Sequence, residues 1–143
     1  LLDTHSGMDE DAILSMAVSD TIVEVIRMDE QSLIGAGVSL QVIRKLGKKV
    51  RLLANMVAQS AEAAGQTLEE RLKAGVLGTI PFLDDVWKIK GEGIFVVDHP
   101  NHPFSTIISE MVEKLLEIEP FERKEEKEEP KKAPKESLER RYF

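Results

Sequence analysis

The chain of 143 residues has no cysteine, one tryptophan and one tyrosine. Without thiols it forms neither disulfides nor thiolate metal sites, a composition compatible with a cytoplasmic protein. No apolar stretch approaches the ~20 residues needed to cross a bilayer as a helix. The first residues lack a basic segment and a cleavage-like site, so no secretory signal is read there. Also missing is any G-x-x-x-x-G-K-[ST] phosphate loop. Gly35-Ala36-Gly37 and Gly91-Glu92-Gly93 are not followed by the Lys-Ser/Thr pair that reaches phosphate and magnesium. Excess positive charge is lacking too: the formal net charge is −7, which argues against broad adhesion to nucleic acid or anionic lipid.

What is present is a 42% hydrophobic chain, enough for one core and hence one domain. Residues 21–27 are too β-branched and apolar for a half-exposed strand and suit a parallel strand covered on both faces; 50–55 reads as a second buried strand ending in a polar residue and 76–81 as a third. Leu1-Leu2 reads as the buried end of a further strand, and 94–97 as a short one. Between them lie helical patterns. Residues 8–19 carry Ile13, Met16 and Ala17 on one face. A helix capped by Asp29 carries Ala36, Leu40 and Ile43 and stops at Gly47. Gly35 and Gly37 inside it suggest close packing on the sheet, since each costs ~1 kcal/mol against alanine.

Residues 60–73 form a helix in which Thr67-x-x-Glu70 resembles a capping box, a break or second start. Residues 83–90 form a short helix bearing Trp87. Pro103 suits the start of a last helix, with Ile108, Met111, Val112 and Leu115 as its buried stripe. Alternation at these lengths predicts an α/β fold, a mainly parallel sheet with helices on both faces. The globular part is read as residues 1–118. Segment 119–143 holds eight acidic and eight basic residues and three prolines, too few apolar side chains to offset its ordering entropy. It is expected to be a solvated tail without the apolar face of a membrane-binding helix.

Several residues sit where ligands bind in open α/β sheets, outside the carboxyl ends of the strands. Asp3 and Gly7 follow the first apolar pair: a carboxylate able to hold water on a metal or to cap a turn, and a glycine that permits close backbone approach. Asn55 ends a strand with an amide that offers a donor and an acceptor, the requirement of a purine edge, or else ends it by turn chemistry. Pro81 ends the third strand, with Phe82 and Asp84 beside it. His99, Asn101 and His102 read as polar loop surface rather than metal ligands, and Asp9, Glu10 and Asp11 as first-turn charges.

Leu1-Leu2-Asp3-Thr4-His5-Ser6-Gly7 resembles the switch II region of the MinD/ParA family of deviant Walker (P-loop) ATPases, where Asp-[Thr/Ser]-Pro-Ala-Gly is usual. The likeness continues through Ser19-Asp20-Thr21-Ile22-Val23, Asp29-Glu30-Gln31-Ser32, Leu53-Ala54-Asn55, Gly78-Thr79-Ile80-Pro81 and Gly91-Glu92-Gly93-Ile94, in the family's order up to about residue 118. The resemblance implies the C-terminal half of such an ATPase, beginning within its sheet. It implies ATP and Mg²⁺ as cofactors, with Asp3 acting on the metal through water or orienting the attacking water. Gly7 then approaches the γ-phosphate, Asn55 hydrogen-bonds the adenine, and Pro81 lines the base pocket.

The family's cycle implies a homodimer, or pairing with an N-terminal half, in spatial positioning or partition. His5-Ser6 in place of Pro-Ala departs from the pattern. The absence of cysteine excludes the family's iron–sulfur carriers, and the acidic balance argues against its DNA-binding branch. A non-catalytic interaction module that keeps the fold is the competing reading. A receiver-like or flavodoxin-like domain would share the architecture but lacks its signatures here.

Overall fold

The computed structural model describes residues 1–58, 60–88 and 93–117. The charged segment 119–143 and the end of the helix expected over 83–90 lie outside the described residues. In chain order the elements are α1 (Glu10–Val18), β1 (Thr21–Arg27), α2 (Glu30–Lys45), β2 (Lys49–Val57), α3 (Ala61–Leu72), β3 (Val76–Pro81), α4 (Asp84–Lys88), α5 (Phe95–Asp98) and α6 (Pro103–Leu116).

The strands form a parallel sheet in the order β1-β2-β3. β1 meets β2 in continuous register from Thr21↔Lys49 to Arg27↔Asn55. β2 meets β3 from Leu52↔Val76 to Val57↔Pro81, with slips between Leu52 and Leu53 and between Ala54 and Val57. Parallel neighbours require a crossover, and two right-handed crossovers in the same direction lay α2 and α3 on one face. α6 covers the other. The fold is thus the expected α/β arrangement, a parallel sheet flanked by helices.

Side chains of β2 alternate between two cores, as strand geometry requires. Leu52 and Ala54 join Leu40 and Ile43 of α2 and Leu68 of α3 in the larger core. Leu53 packs with Leu77, Ile80 and Met111 in the smaller one. Leu40, Ile43, Leu52 and Leu68 are each no more than 1% exposed.

Asp29 caps its helix as expected, while Asp9, expected as a first-turn charge, and Ser60, expected inside its helix, stand just before their helices and cap them. Asp9 Oδ1 accepts from the Ala12 amide at 3.0 Å, Asp29 Oδ1 from the Ser32 amide at 2.9 Å and Ser60 Oγ from the Ala63 amide at 3.2 Å. Each satisfies a donor that a helix start leaves unpaired. Gly47, at φ +67°, ends α2 in the left-handed region that glycine adopts without a Cβ penalty. α3 runs unbroken through Thr67, whose hydroxyl donates to the Ala63 carbonyl at 2.8 Å. Ser60, rather than a second start at Thr67, supplies the cap.

Four other expectations are corrected. Leu1 and Leu2 form no strand and are exposed, because no described strand offers them a ladder. β1 is covered fully on one face only: Val25 is 60% exposed, since α6 packs over β3. Residues 94–97 are not a strand. Phe95 begins the helical turn α5 and packs its ring against His99, His102 and Phe104, at centroid distances of 4.8, 5.0 and 5.5 Å, so local aromatic packing overrides β propensity. Gly35 and Gly37 make no tight contact with the sheet, for a Cβ at either would meet nothing within 4 Å. The close approach is at Gly78, where a Cβ would lie 2.6 Å from Met111 Sδ.

These glycines should therefore respond in opposite directions. Gly37→Ala is expected to raise stability by ~1 kcal/mol, whereas Gly78→Ala should lower it by about 1–3 kcal/mol through overpacking against Met111. Urea denaturation of the two variants checks the order.

Candidate functional site

The strands β1, β2 and β3 are parallel, so their carboxyl ends lie on one edge of the sheet. Arg27 and Asn55 are ladder partners there, and Pro81 is paired with Val57. Asn55 Oδ1 accepts from the Met56 amide at 2.9 Å. Met56 stands at φ 55°, a strained region for a non-glycine residue, at a cost of about 1–3 kcal/mol. The asparagine thus performs turn chemistry, with its oxygen engaged by the backbone and its Nδ2 group as the donor. After Pro81 the Phe82 amide donates to the Val57 carbonyl at 3.0 Å, and Asp84 pairs with Lys88 within α4.

A cavity of about 370 Å³ opens beside this edge, lined by Arg27, Met28, Asp29, Met56 and Ala58. Arg27 Nε lies 3.6 Å from Asp29 Oδ2. The Ser32 amide and hydroxyl, then Arg27, hold the Asp29 carboxyl below its ordinary value. Arg27 and Met56 did not stand out in the sequence. The one signal for Arg27 was a cation closing an otherwise apolar strand.

Asp3 and Gly7 lie elsewhere, in an irregular segment before α1. They border a larger cavity of about 540 Å³ between β1, α1 and α2, together with Ser15, Glu24 and Ser39. Gly7 has φ +128°, a conformation that favours glycine. Asp3 is exposed and does not stand at a strand tip; Asp9, not Asp3, caps the following helix. His5 Nε2 lies 3.0 Å from Asp9 Oδ2. The two cavities share no lining residue. The fold therefore brings Asp3 to Gly7, and sets Asn55 and Pro81 on one edge.

Glu24 is the unexpected group. Ile22 and Ile26 of β1 belong to the larger core, and Glu24 projects to the same side between them. One carboxylate oxygen accepts from the Ser39 hydroxyl of α2. The other, Oε2, is buried without a hydrogen-bond partner. Burial pushes the Glu24 carboxyl above its ordinary value, against the opposing effect of the Ser39 bond. In sequence it was hidden as one polar letter inside an apolar strand.

His102 Nδ1 accepts from the Phe104 amide at 3.1 Å, which caps α6, while Nε2 lies 2.8 Å from Asp85 Oδ2. That bond, with the Val86 amide next, holds the Asp85 carboxyl below its ordinary value. The His99 carbonyl accepts from the buried Ser105 hydroxyl at 2.7 Å, and Asn101 is exposed. Among the described residues no group of three or more His, Cys, Asp or Glu is arranged to hold a metal ion. No described helix is long and apolar enough to cross a membrane.

No protein-family model and no curated protein sequence matches the chain. Its fold is similar to that of a solved structure, the MinD cell division protein of Aquifex aeolicus, with a TM-score of 0.65 at 18% sequence identity. The alignment covers 77% of this chain and 49% of that one, so the chain spans about half the length of its structural relative. The likeness establishes a MinD-like fold.

The Glu24 carboxyl supplies a pH signature. Its folded-state value is raised, so the folded chain binds more protons than the unfolded one between the ordinary value and the raised one. The stability linked to that proton is present below the ordinary carboxylate range and is lost as pH rises through the raised value. Glu24→Gln should abolish this loss while keeping a partner for Ser39. Denaturant midpoints at acidic and neutral pH should differ less in the variant than in the parent.

Proposed function

We infer that the chain is part of an ATP-binding and ATP-hydrolysing switch of the MinD/ParA kind, acting in spatial positioning or partition. The supporting observation is the MinD-like fold with Asn55 and Pro81 at the carboxyl ends of adjacent parallel strands, where open α/β sheets bind ligands. In this reading Asn55 hydrogen-bonds the base through its amide nitrogen and Pro81 lines the base pocket. Asp3 holds water on Mg²⁺ or orients the attacking water, and Gly7 approaches the terminal phosphate.

The fit to nucleotide is partial. Asp3 stands exposed beside Gly7 in one cavity, yet no group of three or more His, Cys, Asp or Glu is arranged to hold a metal ion among the described residues. No lysine-bearing phosphate loop exists in the sequence. ATP and Mg²⁺ binding therefore requires a phosphate-binding half from a longer form of this chain or from another chain. That half would set Asp3 against the nucleotide, and dimerisation would follow ATP binding.

A non-catalytic interaction module is the second reading. It is favoured by the Asn55 oxygen, already engaged by the Met56 amide.

Calorimetry separates the two. The chain alone should show no tight ATP binding. Joined to an N-terminal half bearing a glycine-rich loop with Lys-[Ser/Thr], it should bind and hydrolyse ATP. In that assembly Asp3→Asn should lower turnover by about 10²-fold or more, and Asn55→Ala should weaken ATP by about tenfold. An assembly with an intact phosphate loop that hydrolyses ATP equally well without the Asp3 carboxylate would remove that residue from the chemistry. One that never binds ATP would leave the module.

A further inference from the structure

Cations are scarce in the globular part of this chain and unevenly spread. Residues 1–118 hold eleven lysines and arginines against eighteen aspartates and glutamates, and seven of the eleven fall in two short stretches, 44–51 and 71–73, that contain no acidic residue. The fold brings these stretches together at the amino ends of the strands, the edge opposite Asn55 and Pro81. The first covers the end of α2 and the start of β2, the second the end of α3 just before β3. Arg44 Nη2 donates to the Leu72 carbonyl at 2.7 Å and to the Lys73 carbonyl at 3.2 Å, so it joins the two helix ends and is accounted for by them. Arg51 lies along the turn into β3, where a Cβ on Gly75 would come within 2.6 Å of its guanidinium. Among the described residues none of Lys45, Lys48, Arg51 and Lys73 stands in an ion pair with a carboxylate. Glu69, an acidic group at this turn, accepts from the Val76 amide at 3.4 Å.

α6 delivers the chain to the same edge. It starts by the carboxyl end of β3, where His102 meets Asp85 of α4, and runs back across the strand, so that Met111 reaches Gly78 and Leu115 joins the core that holds Leu77. Side chains alternate along β2, and Arg51 shares the side of Leu53, which packs in that same core. The next eleven residues, 119–129, carry six acidic side chains against three basic, whereas 130–143 carry two against five. Eleven residues reach up to about 35 Å, several strand spacings of ~4.8 Å, so the acidic run can lie along the cations without any change in the fold. Tethering supplies an effective concentration in the millimolar range, which lets ion pairs that are individually weak act together. A large polyanion is the poorer fit. A nucleic acid or an anionic bilayer would also meet the remaining globular surface, with its eighteen acidic groups and four other cations.

We propose that the acidic run 119–129 docks on the cationic cluster at the amino edge, chiefly on Lys45, Lys48, Arg51 and Lys73, and so occupies the surface that an outside polyanion would need. The contact is one of charge and demands no apolar face from the tail. It involves neither cavity and no nucleotide, and it stands apart from the ATPase reading.

The chain has no cysteine, so a single Pro130→Cys variant takes one nitroxide label just beyond the acidic run. In the ¹⁵N-labelled full chain at low salt, the label is expected to broaden the amides of 45–51 and 73–75 far more than those of 27–29 and 55–57 at the opposite edge. Three changes should each abolish that broadening: about 1 M NaCl, where the Debye length is ~3 Å; Lys45→Gln with Lys48→Gln; and Glu125→Gln, Glu126→Gln, Glu128→Gln and Glu129→Gln together, which lie outside the globular part and leave its folding untouched. Absence of broadening at low salt overturns the proposal, as does broadening that survives both sets of substitutions. Equal broadening between a spin-labelled ¹⁴N chain and an unlabelled ¹⁵N chain also overturns it, since the occupant would then belong to a second copy. So does co-sedimentation with phosphatidylglycerol vesicles that depends on Lys45 and Lys48 while the label broadens nothing, which would give the cluster to a membrane surface.

Discussion

A parallel strand buried on both faces needs a helix on each side and a strand on each edge, and among the described residues β2 is the strand that obtains all four. Leu52 and Ala54 turn toward α2 and α3 while Leu53 turns toward Met111 of α6. The rest of the architecture follows from completing β2. Right-handed crossovers place its two helices on the same face, and α6 must return by way of α4 and α5 to cover the other. The path of that return is fixed locally by the Phe95 ring cluster and by the His102–Asp85 contact.

The flanking strands inherit what β2 does not need. β3 receives α6 directly, and Gly78 lets the Met111 thioether approach its backbone. β1 receives cover on one side only, so Val25 faces outward. Glu24 points inward on the covered side, where Ser39 meets one of its oxygens. A buried acceptor left unpaired is costly in a medium of low dielectric. Glu24 therefore keeps one oxygen, Oε2, without a hydrogen-bond partner among the described residues.

The two cavities divide the functional question in the same way. At the carboxyl edge, Arg27, Asn55 and Pro81 are held by the ladder, with a strained Met56 between strand and loop. Strain of this kind clusters at sites where geometry serves binding. Asp3 and Gly7 instead depend on a segment that no described strand pins.

The sequence by itself determined the elements whose causes are local. Asp9, Asp29 and Ser60 cap their helices through side-chain oxygens three residues from the amides they satisfy, Gly47 stops α2, and short apolar or β-branched segments give the described parallel strands. It also determined the absence of a lysine-bearing phosphate loop, since that motif is contiguous. Tertiary structure alone decided whether an apolar segment found a ladder. Leu1-Leu2 did not, while Phe95 found aromatic neighbours and became helical. It alone decided which glycine is crowded, because that depends on Met111, far along the chain from Gly78. And it alone showed Glu24 buried with one oxygen paired to Ser39 and the other unpartnered among the described residues, for burial is a relation between distant residues that no local pattern encodes.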